Sequence, residues 1–155
     1  MIRATHPTDT PALLTMTAGT GLFTPADVIT LGEVLADYHQ CALTQGHRCI
    51  TFEEDGQPIG FAYYAPAPRT DRTWYLWWII VSKFIQARGI GGQLLRHCED
   101  GARAERGRLM MVETSGLGSY DLTRRFYVKQ GYDVAAVLKD YYAEDHDMVV
   151  YRKRL

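Results

Sequence analysis

The chain has 155 residues, of which 46% are hydrophobic, and this suits one compact domain with a packed core rather than a disordered chain. Lys and Arg number 17 and Asp and Glu number 18, so the formal charge is −1. Such a balance excludes a general attraction to nucleic acid or to an anionic membrane surface.

No transmembrane, secretory or metal-binding signal stands out. The N-terminal residues lack the apolar core of a signal peptide, and the most apolar run, residues 74–81, is too short to span a bilayer. The three cysteines, Cys41, Cys49 and Cys98, form no C-x-x-C, and the histidines lack metal-binding spacing. We therefore expect one cytoplasmic domain over residues 1–155, with neither a disulfide framework nor a metal.

Capping and turn residues divide the chain into strands and helices. Thr24 followed by Pro25 is typical of a helix start, and Asp55-Gly56 is typical of a hairpin turn. Residues 74–81 (WYLWWIIV) favour a central strand covered on both faces. In chain order, strands are predicted at residues 2–5, 47–53, 58–64, 74–81, 108–114, 132–138 and 148–152, helices at residues 25–45, 93–106 and 120–130, and an acidic, aromatic loop at residues 139–147.

This order indicates an α+β fold. Antiparallel hairpins come first, and a β-α-β crossover follows in the middle of the chain. The crossover should make the strands at 74–81 and 108–114 parallel. We thus predict a mixed, mostly antiparallel central sheet flanked by helices.

The most informative segment is residues 81–95, VSKFIQARGIGGQLL, where a buried strand runs through glycines into a helix. A helix N-terminus presents unpaired N–H groups and a positive dipole end, so this turn predicts an anion site that suits a pyrophosphate. The P-loop string is absent, and a dinucleotide fingerprint fails because position 94 is Leu. Plain packing of a helix start is the alternative reading.

The same segment resembles the acetyl-CoA signature of the GNAT superfamily (GCN5-related N-acetyltransferases), V-x-P-x-x-[QR]-x-x-G-[IVL]-G-x-x-L-L. It departs from that pattern at Lys83, where the family usually has proline. Residues 125–132, RFYVKQGY, are similar to the family's F-Y-x-x-x-G-[FY] helix end. The resemblance covers residues 58–152 and implies the acyl-CoA N-acyltransferase fold, with transfer of an acetyl group from acetyl-CoA to a primary amine.

The resemblance also implies which residues would bind the coenzyme. Backbone N–H groups of the turn would hold the pyrophosphate, with added contacts from the Gln86 and Arg88 side chains. The pantetheine arm would lie along the preceding strand, where the two parallel strands splay apart. The implied coenzyme-binding residues are Ile79, Ile80, Val81, Gln86, Ala87, Arg88, Gly89, Ile90, Gly91 and Gly92.

Two residues are candidates for proton transfer. The resemblance implies that Tyr127 is the general acid for the leaving thiolate, and packing in the core is its alternative role. Glu113, near the carboxyl end of a buried strand, is the candidate base, directly or through water, and a structural hydrogen bond is its alternative role. Backbone N–H groups of the strand at 74–81 are candidates for stabilising the oxyanion.

The acceptor pocket is predicted from aromatic and acidic residues. Tyr141 and Tyr142 lie close to Glu144 and Asp145 in the sequence, and such a cluster suits a cationic amine. Phe23 is a second candidate, by resemblance. Trp77 and Trp78 should project to opposite faces of their strand, so that one of them, assigned here as Trp77, lines the acceptor side, with packing in the core as the alternative role.

Three readings of the function stay open. The first is an N-acetyltransferase acting on a small-molecule amine by direct attack in a ternary complex, with a protein N-terminus or lysine as the alternative acceptor. The second is a non-catalytic acyl-CoA-binding module. A covalent mechanism through Cys98 is disfavoured because no histidine partner is evident. The resemblance also admits a homodimer.

Overall fold

A computed structural model describes residues 1–85 and 88–155 of the chain. The strands and helices, in chain order, are β1 (Ile2–Ala4), α1 (Thr10–Gly19), α2 (Pro25–Gln40), β2 (Arg48–Glu54), β3 (Gln57–Pro66), β4 (Thr73–Val81), α3 (Ile90–Ala104), β5 (Leu109–Ser115), α4 (Asp121–Lys129), β6 (Asp133–Ala143) and β7 (His146–Arg154). In the part of the chain that is described, no helix is long and apolar enough to cross a membrane.

The strands form one seven-stranded sheet in the order β1-β2-β3-β4-β5-β7-β6. Strands β4 and β5 are parallel, and the other neighbouring pairs are antiparallel. The predicted α+β class and mixed sheet are therefore confirmed, including the parallel pair on either side of α3.

Local sequence explains two of the predicted boundaries. Thr24 caps α2 by accepting a hydrogen bond from the Asp27 N–H (3.2 Å), while the Asp27 carboxylate accepts one from the Thr24 N–H (2.7 Å). In the β2–β3 turn, Asp55 and Gly56 both have positive φ (50° and 76°), which suits the twist of a tight hairpin.

Helix α1 was not predicted. Its buried positions are Leu13 and Thr17, so a polar residue stands where an apolar one would have revealed the helical repeat. The buried Thr17 hydroxyl has its hydrogen-bond partner within the helix, because it donates to the Leu13 carbonyl (2.8 Å). Tertiary burial, rather than sequence pattern, accounts for this helix.

The predicted loop at residues 139–147 is wrong. Strands β6 and β7 continue through it as a hairpin with its turn at residues 144–145. Aspartates support the irregular backbone, because Asp140 and Asp145 adopt positive φ and the Asp140 carboxylate accepts from the Asp145 N–H (2.8 Å). The Asp147 carboxylate pairs with Lys139 (2.7 Å), so several of the acidic groups serve the hairpin itself.

Two hydrophobic cores lie on opposite faces of the sheet. Leu94, Leu95 and Cys98 of α3 pack into the first, together with Met110 of β5. Leu31 and Leu35 of α2 pack into the second, with Leu13 and Phe61. Helices α1 and α2 therefore cover one face, and α3 covers the other.

The sheet splits between its two parallel strands. Backbone pairing of β4 with β5 runs from Thr73–Leu109 to Leu76–Val112 and ends there. Beyond that point β4 stays paired with β3 as far as Val81, and β5 stays paired with β7 as far as Ser115. The result is a wedge that opens toward the carboxyl ends of both strands.

A β-bulge in β4 lies at the start of this wedge. Tyr63 of β3 pairs with Trp78, whereas Tyr64 pairs with Leu76, so Trp77 has no partner on β3. The extra residue resets the alternation of side chains: Leu76 packs in the first core, and Trp78 packs against the second. The predicted strict alternation, which placed Trp77 and Trp78 on opposite faces, therefore does not hold, and the predicted full cover of β4 is wrong because Trp77 is 52% exposed.

Candidate functional site

A cavity of about 500 Å³ lies beside the wedge, between the end of β4, the start of α3 and one side of α4. Its walls are partly apolar, from strand and helix side chains, and partly backbone. The lining residues are Ile79, Val81, Ile85, Gly89, Ile90, Gly91, Gly92, Arg96, Leu122, Thr123, Phe126, Tyr127, Lys129 and Gln130.

The N-terminus of α3 presents bare backbone to this cavity. Gly89 is the N-cap residue, with φ 76°, and it offers no side-chain cap. The first helical hydrogen bond runs from the Gln93 N–H to the Gly89 carbonyl (3.1 Å), so the N–H groups of Ile90, Gly91 and Gly92 precede the helical ladder. Three N–H groups at the positive end of a helix dipole form an anion-binding surface.

The two glycines of the G-x-G pattern stand in different surroundings. At Gly89 the positive φ favours glycine, while the space around an added Cβ would be open. At Gly91 an added Cβ would make an ordinary van der Waals contact with the Phe126 ring, at 3.5 Å. Backbone conformation therefore calls for glycine at Gly89, whereas packing alone would admit a small side chain at Gly91.

Two cations strengthen the attraction for an anion. Arg96 of α3 and Lys129 of α4 line the cavity, and within residues 1–85 and 88–155 neither forms an ion pair. Ile79, Val81 and Phe126 supply apolar wall nearby. Cations, bare amides and an apolar channel together suit a ligand with phosphates at one end and a flexible arm, so the chain fits the coenzyme that the sequence implied.

Tyr127 forms part of the wall where the cavity meets the first core. It is 4% exposed and packs edge-on against Phe126 and Tyr132, with ring centroids 5.3 and 5.7 Å away. Burial, followed by the nearby Cys98 and Tyr151, raises the pKa of the Tyr127 phenol well above its ordinary value. The phenol is therefore held protonated next to the cavity.

Only some of the coenzyme-binding residues implied by the sequence line the cavity. Ile79 and Val81 line the cavity, whereas the Ile80 side chain packs in the second core on the opposite face. Arg88 was expected to meet a phosphate, but its guanidinium forms two hydrogen bonds with Glu54, at 2.7 and 2.8 Å. Gln86 and Ala87 lie outside the described residues.

Glu113 faces the other side of the sheet. It is exposed, because β5 alternates and Val112 and Thr114 take the buried positions. Burial and then the Glu113 charge raise the pKa of the Tyr75 phenol above its ordinary value, and the same two causes act in that order on the pKa of Tyr142. Glu113 is therefore near aromatic hydroxyls of β4 and β6.

The predicted acceptor residues take part in three aromatic pairs. Trp77 stacks on Tyr75, with centroids 4.9 Å apart and planes 19° from parallel. Phe23, in the segment between α1 and α2, packs against Trp78 at 5.5 Å, so Trp78 is committed to packing. Tyr141 meets Tyr142 edge-on at 5.0 Å, and both are about half exposed.

Several lining residues were missed by the sequence reading. Arg96 lies two turns into α3, and Lys129 and Gln130 lie at the end of α4, inside the second motif that the sequence analysis quoted. Their charge and amide chemistry could have been noted, but only the approach of α3 to α4 shows that they share one cavity. The contribution of α4 to the cavity can therefore be recognised only from the tertiary structure.

A polar network lies next to this cavity. Glu99 of α3 is 2% exposed, and both of its carboxylate oxygens accept from the Lys153 ammonium at 2.9 Å. Lys153 also donates to the Gln130 carbonyl (2.9 Å), and the Tyr132 hydroxyl donates to Glu99 (3.1 Å). This network joins α3 to the end of α4. In the described residues, no group of three His, Cys, Asp or Glu side chains could hold a metal ion.

Known proteins resemble the chain throughout its length. A GNAT-family protein from Desulfovibrio desulfuricans has 33% sequence identity over 99% of this chain and 98% of its own, with a TM-score of 0.95. A ribosomal-protein-alanine N-acetyltransferase from Brucella melitensis (21% identity, TM-score 0.78) covers 100% of this chain and 99% of its own, and a protein from Salmonella typhimurium solved with acetyl-CoA (18%, 0.78) covers 100% and 93%. These last two identities show the fold alone.

A search of curated proteins found no match. The sequence model of the Acetyltransferase (GNAT) family matches residues 21–132. That span includes the glycine-rich turn at the start of α3, the wedge and the whole of α4. The chain therefore belongs to the GNAT family of acetyltransferases.

Proposed function

We propose that the protein transfers the acetyl group of acetyl-CoA to a primary amine of a small molecule, by direct attack in a ternary complex. The observation that carries this proposal is the wedge between β4 and β5. On one face it meets a cavity suited to a phosphate-bearing coenzyme, and on the other face it presents a carboxylate among aromatic rings.

Coenzyme binding is supported by the cavity. The N–H groups of Ile90, Gly91 and Gly92 would hold the diphosphate, with Arg96 and Lys129 as countercharges. The arm would follow Ile79 and Val81, where β4 no longer pairs with β5 and its backbone groups on that edge are free to bond the ligand.

Two side chains would move the protons. Glu113 would accept the proton that the amine loses as its nitrogen bonds to the acetyl carbon, directly or through water. Tyr127 would donate its proton to the thiolate that departs as the carbon–sulfur bond breaks. The products are an amide and coenzyme A with a free thiol, and the two side chains are reset by exchanging protons with solvent.

The proposed acceptor site is supported only by the chemical character of its side chains. Phe23, Trp77, Tyr141 and Tyr142 are the proposed acceptor-binding residues, grouped on the face that bears Glu113. A protein N-terminus or lysine as acceptor, or an acyl-CoA-binding module without turnover, would be an outcome of the test below. A homodimer and a cytoplasmic location stay predictions.

Thiol release tests the function. The purified protein is incubated with acetyl-CoA and a panel of primary amines, and coenzyme A is measured with a thiol reagent while calorimetry records acetyl-CoA binding. We expect amine-dependent release. Binding without release on any amine or peptide would favour the binding module, and absence of binding would overturn the proposal.

A further inference from the structure

Trp77 and Glu113 both lie at the opening of the wedge. Leu76 and Val112 form the last backbone pair of the two parallel strands, and Trp77 and Glu113 are the residues that follow them. The position is fixed by the fold, since the bulge at Trp77 is held between paired residues of β3 and β4.

The Trp77 indole offers a free aromatic face. It is 52% exposed, although it stacks on Tyr75 at 4.9 Å. The stack fixes one side of the indole and leaves the rest to solvent. The negative face of an indole ring attracts cations more strongly than those of phenylalanine or tyrosine.

Glu113 supplies a negative charge without a protein counterion. Among residues 1–85 and 88–155, no lysine, arginine or histidine forms an ion pair with it. Its neighbours are instead the phenols of Tyr75 and Tyr142, whose pKa values its charge helps to raise. An unpaired carboxylate beside a stacked aromatic pair is a binding site for an organic cation.

We propose that Trp77 is a specificity-determining residue that binds the acceptor as its ammonium ion, on the face that bears Glu113. The bound ion would release one proton to solvent, and the resulting neutral amine would then attack. The substrate class is then a small alkylammonium ion without a carboxylate close to the nitrogen, because such a carboxylate would be repelled by Glu113. The assignment rests on the proposed function for its meaning, but the cation site can be tested without turnover.

Nuclear magnetic resonance of the indole N–H groups tests the site. The three tryptophans, Trp74, Trp77 and Trp78, give three indole signals, and the Trp77→Leu variant identifies the one of interest. Ethylamine, protonated at neutral pH, and 2,2,2-trifluoroethylamine, largely neutral there, are matched in shape. We expect ethylamine to shift the Trp77 signal saturably, while trifluoroethylamine and glycine shift it little and Trp74 and Trp78 stay unchanged.

Two variants refine the result. Glu113→Gln should weaken ethylamine binding about two- to fivefold, as for an exposed ion pair. Trp77→Phe keeps a ring face at position 77, so it should bind ethylamine more tightly than Trp77→Leu does. Because both variants lack the Trp77 indole, the ring signals of Tyr142 serve as the second reporter of binding. Equal shifts with the charged and neutral amines, or none with ethylamine, would overturn the proposal. Acetyl-CoA calorimetry reports separately on the proposed function.

Discussion

The Tyr127 phenol and the Glu113 carboxylate belong to opposite faces of the split sheet. Tyr127 packs in the first core and lines the cavity, whereas Glu113 is exposed on the face bearing Trp77 and Tyr142. A group placed in the wedge would have one proton donor on the coenzyme side and one proton acceptor on the other. The sheet would thereby keep apart the two roles proposed for these side chains.

Replacing Tyr127 with Phe tests the proton donor. The ring and its packing remain, so we expect coenzyme affinity to change little while kcat falls about a hundredfold. Because burial raises the pKa of this phenol, wild-type kcat should not decline through Tyr127 as the pH rises to about 10, the ordinary tyrosine value. Steady-state kinetics and calorimetry measure the two quantities, and an unchanged kcat would remove Tyr127 from the reaction.

Charge at the cavity is tested with Arg96→Gln and Lys129→Gln. Each should weaken coenzyme A binding about three- to tenfold at low salt, and less at high salt, because a charge-assisted contact is lost and salt screens it. Arg106→Gln, beyond the opposite end of α3, is the matched control. Equal loss in the control would mean that general electrostatics, rather than these two side chains, sets the affinity.

The Gly89→Glu substitution tests the turn that we propose to bind phosphate. A carboxylate beside the α3 N–H groups would repel phosphate, and a side chain at φ 76° is strained. We expect coenzyme binding to be lost in calorimetry. Gly56→Glu, which also has positive φ but lies in the distant β2–β3 turn, controls for backbone strain and should bind as wild type does.

The buried pair of Glu99 and Lys153 makes a prediction about stability. Lys153→Met removes the closer cation from the buried Glu99 carboxylate and leaves it with Arg103 at 3.5 Å, which should cost about 3 kcal/mol of unfolding free energy, the lower end for a broken buried pair. The double variant Glu99→Leu/Lys153→Met removes both charges and should recover most of that loss. Urea unfolding of the four proteins in this cycle measures the coupling. Additive losses would mean that the pair is not coupled.

Stability in acid should depend on Asp9. Its hydrogen bonds with Arg3 are the main cause that lowers its pKa below the ordinary aspartate value in the folded state. The folded state therefore binds this proton less readily than the unfolded state does, so the contribution is present above about pH 4 and is lost as the pH falls further. The stability gap between wild type and Asp9→Asn should close on acidification, and a constant gap would contradict the assignment.

Much of the fold was predictable because local signals agreed with the tertiary structure. Thr24-Pro25, Asp55-Gly56 and Gly89 each act through local backbone geometry, which can be predicted from residue type. Helix α1 was not predictable, because Thr17 occupies a buried position that normally carries an apolar side chain. The continuation of β6 and β7 was missed because Asp140 and Asp145 are turn formers that here support a hairpin.

The site was predictable only in part. The turn before α3 and the motif around Tyr127 are contiguous in sequence, so their residues could be named together. Arg96 becomes relevant only because α3 and α4 line the same cavity, and Arg88 is paired with Glu54, which lies 34 residues earlier. Contacts between distant segments leave no periodic pattern in the sequence, so the residues that such contacts bring into the site cannot be predicted from one sequence.

The unpaired residue in β4 determines which way every later side chain of that strand points. If Trp77 were paired with Tyr63, as in a strand without a bulge, each later residue of β4 would move on by one partner and its side chain would cross to the other face. Ile80 would then point at the cavity beside α3, and Ile79 and Val81 would turn toward α1 and α2. One inserted amino acid thus decides which surface lines the cavity and which fills the interior.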